Sequence, residues 1–262
     1  MALTYTDYLD LEKMLSLQRP RSEPAEHDEM LFIIIHQTYE LWFKQVMHEL
    51  DKVKRDFMAN DLWSAVHTFK RVRTILKTLV TQVDVLETMT PMSFGSFRDR
   101  LETASGFQSA QFRELEFLLG YKRSDMDFAA LYGAHTSGYA AVQKRLHERS
   151  LVDYFYYFLS ANGVDVPETL KRRDVALSNV PDETVQAGLL HLYKTQPELA
   201  ILFELMTDFD EGLQEWRYRH VMLVMRTIGN KSGTGGSSGV EFLKRSLFKP
   251  VFADLWAIRH QL

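Results

Sequence analysis

Two histidines and one glycine-rich segment are the residues of this sequence whose types and spacing could do chemistry together. His220 follows Trp216 by one turn, on a stretch whose apolar residues recur every three or four positions. The next segment, residues 229–239, reads G-N-K-S-G-T-G-G-S-S-G and has too much glycine to continue a helix. A histidine buried beside such a loop indicates a bound ligand or cofactor. A hydrogen-bonded core histidine followed by a surface loop is the plainer alternative.

The second histidine, His36, lies on another long helical pattern. Phe32, His36, Tyr39 and Phe43 recur at steps of three or four and would project from one side of a helix. A second apolar stripe runs along the same stretch, at positions 31, 34, 35, 41, 42, 46 and 50. A helix that is apolar on two sides is expected to lie between layers. Aromatic packing around a hydrogen-bonded core histidine would also explain this pattern.

Arg98 is a cation placed among three apolar residues, Phe94, Phe97 and Leu101. An unpaired guanidinium is costly to bury, so Arg98 either reaches solvent or meets an anion. A carboxylate is its natural bidentate partner. The sequence therefore predicts an anion site or an exposed side chain at this position.

Composition describes an ordinary globular protein and excludes several classes. The 262 residues are 45% hydrophobic, and 31 basic against 35 acidic side chains give no reason to expect nucleic acid or an anionic membrane as partner. The absence of cysteine excludes disulfides, thiolate metal sites and cysteine nucleophiles. The N-terminus lacks the pattern of a signal peptide, and no apolar run approaches the roughly 18 residues of a membrane span. We expect a cytoplasmic protein.

The elements that must position these residues are predicted to be helices. Long segments with helical spacing lie between clusters of glycine and proline, and clear period-2 strands are absent, so the expected fold class is all-α. The main predicted helices cover residues 27–58, 61–89, 107–120, 197–227, 240–247 and 250–260. Ser105 is expected to cap the third of these, and Gly120 to end it.

Residues 1–22 form a short amphipathic segment that is too small to be stable alone. It must dock on its own body or on another subunit. The pattern shows neither an internal repeat nor a linker long enough to separate domains. Residues 23–262 are therefore predicted to form a single helical domain.

Familiar catalytic motifs do not explain the glycine-rich loop. Residues 235–239 match the G-x-S-x-G pattern of serine hydrolases, but that motif needs a preceding strand and here follows a helix. The loop fails G-x-G-x-x-G and lacks the lysine of a P-loop, which disfavours nucleotide binding. The chain has no Glu-x-x-His pair for a di-iron site, and its nine histidines show no compact zinc spacing.

A planar cofactor needs fewer protein ligands. A haem iron takes a single proximal imidazole and leaves its opposite face for O2 or another ligand. His220 and His36, on separate long helices, fit the proximal and distal positions. Phe32, Arg98 and Thr234 could then surround a substrate that is partly aromatic and partly anionic. Spacing alone does not select this arrangement.

Three motifs carry a resemblance to a known family. D-E-M-L-F-I-I-I-H-Q-T-Y-E-L-W-F-K at 28–44, F-R-D-R-L...A-S-G-F-Q-S at 97–109 and R-H...I-G-N-K-S-G-T-G-G-S-S-G-V at 219–240 resemble tryptophan 2,3-dioxygenases, in the family's order. The resemblance implies an all-α, haem-b enzyme, usually a homotetramer. Such an enzyme inserts both atoms of O2 across the indole C2–C3 bond of L-tryptophan to give N-formylkynurenine.

The resemblance also implies roles for single residues. His220 would be the proximal iron ligand, and His36 the distal histidine that hydrogen-bonds the indole N–H. Phe32 would pack against the indole, Arg98 would clamp the substrate carboxylate, and Thr234 would bind the amino-acid end. We expect a further hydrogen-bond acceptor to orient His220, which the sequence does not identify.

Other residues would complete the pocket. Ser105 and Gly106 would line its distal side, close to bound O2. From the N-terminal segment, Tyr5, Tyr8 and Leu9 would help to close the pocket of a neighbouring subunit. This role agrees with the inference that residues 1–22 cannot stand alone.

The sequence departs from the family pattern in places. Lys231-Ser232 stands where Lys-Arg is common, Phe94 stands where tyrosine is frequent, and the N-terminus is short. A haem-dependent monooxygenase acting on tryptophan or a substituted tryptophan is therefore the alternative enzyme. A non-catalytic haem sensor is the alternative from another class, and it would need no amino-acid clamp of the kind that Arg98 and Thr234 offer.

Overall fold

The computed structural model describes residues 2–123 and 126–262, and within them every regular element is a helix, which confirms the all-α prediction. The α-helices are α1 Tyr5–Leu9, α2 Leu11–Met14, α3 His27–Met58, α4 Leu62–Leu86, α5 Pro91–Arg98, α6 Ala110–Leu118, α7 Phe128–Tyr132, α8 Ser137–Leu146, α9 Leu151–Ala161, α10 Glu168–Lys171, α11 Glu183–Thr195, α12 Pro197–Ile228, α13 Val240–Lys244 and α14 Ala253–Ala257. Short 3-10 turns cover Asp99–Leu101, Gly106–Gln108 and Arg259–Gln261.

The three long helices α3, α4 and α12 form the body of the fold, and α9 packs against α3. Their ends follow local signals. Asp61 caps α4, because its carboxylate accepts from the backbone N–H of Ser64 at 3.0 Å. Pro197 starts α12 at a position where its missing N–H costs nothing, and Gly229, with φ +60°, ends it. The predicted bounds of α3 and α12 agree with the structure to within one residue.

Aromatic side chains fill the centre of this body. Phe69 of α4 meets Phe209 of α12 edge-on, with ring centroids 6.0 Å apart, and Phe252 packs against both. All three rings are almost fully buried. Burying side chains of this size supplies much of the apolar stabilisation of a core. The long helices are therefore fixed relative to one another at their centres.

Two buried aspartates hold the C-terminal segment onto the body. Asp210 of α12 accepts from the backbone N–H groups of Val251 at 2.6 Å and Phe252 at 2.9 Å, and from Trp256 Nε1 at 3.1 Å. Asp254 accepts from the Tyr156 hydroxyl at 2.7 Å. The prediction of one helix over 250–260 is wrong, because residues around 251 give their N–H groups to Asp210 rather than to a helix. Only Ala253–Ala257 is α-helical there.

The predicted helix over 107–120 also needs correction. Ser105 does act as a cap, but of the 3-10 turn Gly106–Gln108, where its hydroxyl accepts from the N–H of Phe107. A second serine, Ser109, caps the α-helix proper. Gly120 follows the end of α6 with φ +97°, a conformation that glycine adopts without strain.

The N-terminal segment lies largely exposed. Tyr5, Tyr8 and Leu9 are 73%, 72% and 41% exposed. The segment joins the body where Glu29 accepts from the backbone N–H groups of Arg21 and Ser22. Met1, the first residue of the predicted docking segment 1–22, lies outside the described residues. No helix within the described ranges is both long and apolar enough to cross a membrane.

Candidate active site

A cavity of about 300 Å³ lies between α3, the end of α4, α5, α12 and the glycine-rich loop. Seven of the residues singled out in the sequence line it: Phe32, His36, Arg98, Ser105, Gly106, His220 and Thr234. These residues come from four separate parts of the chain. Tyr5, Tyr8 and Leu9 do not line the cavity of their own chain.

His36 is held in one orientation by its own helix. Its Nδ1 lies 2.7 Å from the carbonyl oxygen of Phe32, one turn earlier, so Nδ1–H donates to that carbonyl. Burial lowers the pKa of His36, although the Phe32 carbonyl and the charge of Glu40 oppose the shift. The neutral ring then has Nε2 without a proton, and Nε2 can accept a hydrogen bond.

Phe32 and Phe94 form one wall of the cavity beside His36, and the fully buried Phe97 packs against both rings without lining the cavity. The ring of Phe32 lies 4.0 Å from that of His36, centroid to centroid, and 5.6 Å from those of Phe94 and Phe97. Phe94 and Phe97 meet edge-on at 5.4 Å. This wall is a surface on which a flat aromatic ligand could pack.

His220 projects into the same cavity from α12. Burial, with a smaller contribution from the nearby His36, lowers the pKa of His220 to about 4, so its imidazole is neutral at pH 7. Residues 2–123 and 126–262 provide no hydrogen bond to either ring nitrogen. The acceptor expected from the sequence is therefore not found among them. The ring instead lies almost parallel to the indole of Trp216, at 21° and 5.4 Å between centroids. A neutral imidazole of this kind can bind a metal.

Two hydrogen bonds hold the glycine-rich loop against residues 98–104 beside the cavity. The Arg98 guanidinium donates to the carbonyl of Ser232 at 2.9 Å, and the Thr234 hydroxyl donates to the carbonyl of Ala104 at 2.6 Å. Gly235 lies so close to Ser105 that a Cβ on it would come within 2.7 Å of the Ser105 Cβ. Because residue 235 is a glycine, the loop can approach Ser105 this closely.

A buried charge cluster at another part of the wall was not anticipated from the sequence. Arg113 and Glu116 of α6 form an ion pair, and Arg217 of α12 lies 4.0 Å from the second oxygen of Glu116. The Nε atoms of both arginines are buried, and neither has a hydrogen-bond partner in the described chain. Two arginines against one glutamate leave this wall positively charged. The sequence did contain a sign that Arg217 faces the cavity, because Arg217 lies three residues before His220 and so shares its helix face.

Comparisons of the sequence with known proteins identify its family. A sequence model of the family described as tryptophan 2,3-dioxygenase matches residues 1–157 and 170–262. A protein named tryptophan 2,3-dioxygenase from Herpetosiphon aurantiacus is 52% identical, over 100% of this chain and 99% of its own. Proteins of the same name from Anaeromyxobacter dehalogenans and Rhodococcus jostii are 51% and 42% identical, over 100% and 99% of this chain and 97% and 92% of theirs. The resemblance inferred from three motifs is confirmed, and the chain belongs to the tryptophan 2,3-dioxygenase family.

Proposed function

We propose that this protein is a haem-b-dependent tryptophan 2,3-dioxygenase. It would insert both atoms of O2 across the indole C2–C3 bond of L-tryptophan and release N-formylkynurenine. The observation that carries the proposal is the pair His36 and His220, which reach one cavity from two long helices beside an aromatic wall. Membership in the family supplies the reaction.

The cavity wall suits haem b in two respects. His220 offers a neutral imidazole that the described residues leave without a hydrogen bond. The Arg113–Glu116–Arg217 cluster lines the cavity and brings two arginines against one glutamate, and this excess positive charge suits the carboxylates of haem. His220 would hold the iron, and Arg113 and Arg217 would hold the carboxylate edge. When bound, ferrous haem supplies the metal centre that activates O2.

His36 and Phe32 would position the indole. The Phe32 carbonyl keeps the proton of His36 on Nδ1, so Nε2 is left to accept a hydrogen bond from the indole N–H. The ring of Phe32 offers a flat surface beside that acceptor. Holding the indole in one place and orientation supplies a large share of the acceleration without a strong base. Ser105 and Gly106 would line the same side of the cavity, close to bound O2.

Arg98 and Thr234 would recognise the amino-acid end of the substrate. Arg98 donates to the neutral carbonyl of Ser232, and a carboxylate would accept from it more strongly. The Thr234 hydroxyl gives its proton to the Ala104 carbonyl, which leaves its oxygen lone pairs to accept from the substrate ammonium. Arg98 would thus bind the carboxylate of the zwitterion, and Thr234 would bind its ammonium group.

The N-terminal segment would complete the site of a neighbouring subunit in a homotetramer. Tyr5, Tyr8 and Leu9 are exposed, and their apolar surface has no place in their own chain's cavity. Burying such side chains against a neighbour would be favourable. We further propose that residues 23–262 act as one domain, that the protein works in the cytoplasm, and that L-tryptophan and O2 rather than nucleic acid or a membrane are its partners.

An absorption spectrum of the purified protein, with and without L-tryptophan, tests the cofactor and the ligand together. We expect a Soret band that shifts when L-tryptophan is added. Product formed under 18O2 should then contain two labelled atoms. One labelled atom would identify the monooxygenase alternative, and a haem protein without tryptophan-dependent O2 consumption would identify a sensor. A protein that stays colourless when made with ample haem would overturn the proposal.

A further inference from the structure

The two histidines of the cavity are oriented by different means. His36 is fixed by a hydrogen bond from its Nδ1–H to the Phe32 carbonyl. His220 receives no such bond from the described residues. A histidine that binds a metal almost always donates its second ring N–H to a carboxylate, a carbonyl or water. Within the described residues, a contact other than a hydrogen bond must therefore set the plane of the His220 ring.

Trp216 is the group placed to do so. It precedes His220 by four residues on α12, the spacing at which two side chains lie one above the other. Its indole and the imidazole are inclined by only 21°. The indole Nε1 is buried and has no hydrogen-bond partner in the described chain. The face of the indole is therefore the part of Trp216 that meets His220.

The indole of Trp216 is itself enclosed on several sides. Phe43 of α3 meets it edge-on at 5.9 Å, and Phe112 of α6 lies 5.3 Å away, both measured between ring centroids. Tyr39 of α3 lies at 6.2 Å, and its hydroxyl donates to the carbonyl of Leu79 on α4 at 2.8 Å. The box around Trp216, made by Tyr39, Phe43 and Phe112, thus draws on two further helices. Its position is fixed by the body of the fold.

We propose that Trp216 is a positioning residue for His220, whose ring plane it sets by stacking. The proposal rests on the proposed function, because it concerns the residue that would bind the iron. Removing the flat ring should let the imidazole rotate about its side-chain bonds. A smaller flat ring should keep most of this effect, because the ring face makes the contact with His220.

The test compares three variants of the haem-loaded protein with the wild type. Trp216→Phe keeps a flat ring, Trp216→Leu removes it, and Phe209→Leu is the matched control. Phe209 is a buried aromatic residue on the same helix that contacts Phe69 and Phe252 instead of His220. The readouts are the iron–histidine vibration of the ferrous protein, the rate of haem transfer to apomyoglobin, and the melting temperature.

For Trp216→Leu we expect a broadened, shifted iron–histidine band and haem loss about 10- to 100-fold faster, the range typical when a group that orients a metal ligand is removed. Trp216→Phe should stay close to the wild type in both. Phe209→Leu should lower the melting temperature and leave the iron–histidine band unchanged. If Trp216→Leu does not fold, Phe112→Leu, which opens one side of the box, should broaden the same band to a smaller extent.

Two outcomes would overturn the proposal. One is an unchanged band and haem-transfer rate in Trp216→Leu, or in Phe112→Leu if only that variant folds. The other is an equal change in Phe209→Leu, which would show a general effect of helix destabilisation. Failure of the proposed function would look different, because the wild-type protein would then take up no haem or show no iron–histidine band at all.

Discussion

Asp210 and Arg217 lie two turns apart on α12, and both are buried, yet their surroundings differ. Both carboxylate oxygens of Asp210 accept hydrogen bonds, from two backbone N–H groups and from Trp256. Arg217 donates to the carbonyl of Ser246 at 3.2 Å, but its Nε is buried without a partner in the described chain. Asp210 lies away from the cavity, whereas Arg217 lines it.

Other buried polar groups of the described chain also differ in whether they have hydrogen-bond partners. Asp153 in the body accepts from Ser150 and from the guanidinium of Arg173. On the cavity wall, Trp216 and Arg113 each have a buried nitrogen without a partner. Native proteins leave few buried polar groups unsatisfied. Of the six buried polar atoms without a partner in the described residues, three belong to neighbouring residues of the cavity wall, Arg113, Trp216 and Arg217, and the other three lie on Gln82, Tyr132 and Arg259, away from the cavity.

The largest expected effect comes from the cavity wall. His220→Ala should abolish haem binding and activity, because the substitution removes the proposed iron ligand. It should leave the melting temperature of the haem-free protein nearly unchanged, since the described residues make no hydrogen bond to that ring. Absorption spectra and thermal melts of the two proteins check this. Unfolding of the variant, or haem uptake with unchanged axial coordination, would contradict it.

Asp153→Asn should have the next largest effect, on stability alone. Breaking a buried ion pair costs about 3 kcal/mol, so the free energy of unfolding at pH 7 should fall by about that much. The substrate KM should not change, because Asp153 lies away from the cavity. Denaturant unfolding measures the first quantity, and Glu168→Gln, which alters only the ion pairs of the exposed Glu168 with Lys171 and Arg172, is the control.

The loss caused by Asp153→Asn should also depend on pH. Burial raises the pKa of Asp153, but hydrogen bonding and charge from Arg173, with the bonds from Ser150, outweigh it and hold the pKa below its usual value of 3.8. A depressed pKa in the folded state stabilises the protein above the unfolded-state value, and this stabilisation disappears as the pH falls through the folded-state pKa. The gap between wild type and variant should therefore narrow below about pH 3.8. A constant gap would show that lost packing, rather than charge, is responsible.

Arg98→Ala should act on substrate binding. Losing a hydrogen bond to a charged group costs about 2 kcal/mol, which corresponds to a rise in KM of roughly 30-fold. The haem spectrum and the melting temperature should stay as in the wild type. Arg100→Ala is the matched control, because Arg100 is exposed and donates to the carbonyl of Glu23 outside the cavity. Loss of haem in Arg98→Ala would show a structural role for Arg98.

The smallest expected effect comes from the loop. Gly235→Ala would bring a Cβ within 2.7 Å of the Ser105 Cβ and should push the loop outward. If returning the displaced loop to its position beside Ser105 costs about 1 kcal/mol, the KM should rise roughly fivefold. Gly95→Ala is the control, because a Cβ there meets no atom within 4 Å. Equal KM values for the two variants would show that the loop tolerates the displacement.

Periodicity was sufficient to predict the long helices and the inward direction of His36 and His220. The helix over 107–120 was misplaced because Ser105 and Ser109 are both good caps, and the local pattern does not decide between them. On α3, the expected burial on two sides is only partly found, since Ile34 and Leu41 are exposed in the single chain. Periodicity within one chain cannot reveal whether a neighbouring subunit covers that face.

The charge cluster escaped prediction for a different reason. Arginine and glutamate in a helical pattern usually mark a solvated face, so Arg113 and Glu116 gave no sign of burial. Their meeting with Arg217 depends on how α6 packs against α12, which local sequence does not encode. The cavity wall is thus the part of the molecule that needed a three-dimensional structure most.

We expect an incoming substrate to compete with the glycine-rich loop for the Arg98 guanidinium, which donates to the Ser232 carbonyl. A carboxylate can take the guanidinium away from the Ser232 carbonyl, because it offers a charged acceptor in exchange for a neutral one. Bare indole carries no carboxylate and would leave the hydrogen bond between Arg98 and the Ser232 carbonyl in place. We therefore expect the entrance to sort free amino acids from uncharged indoles before either reaches the histidines.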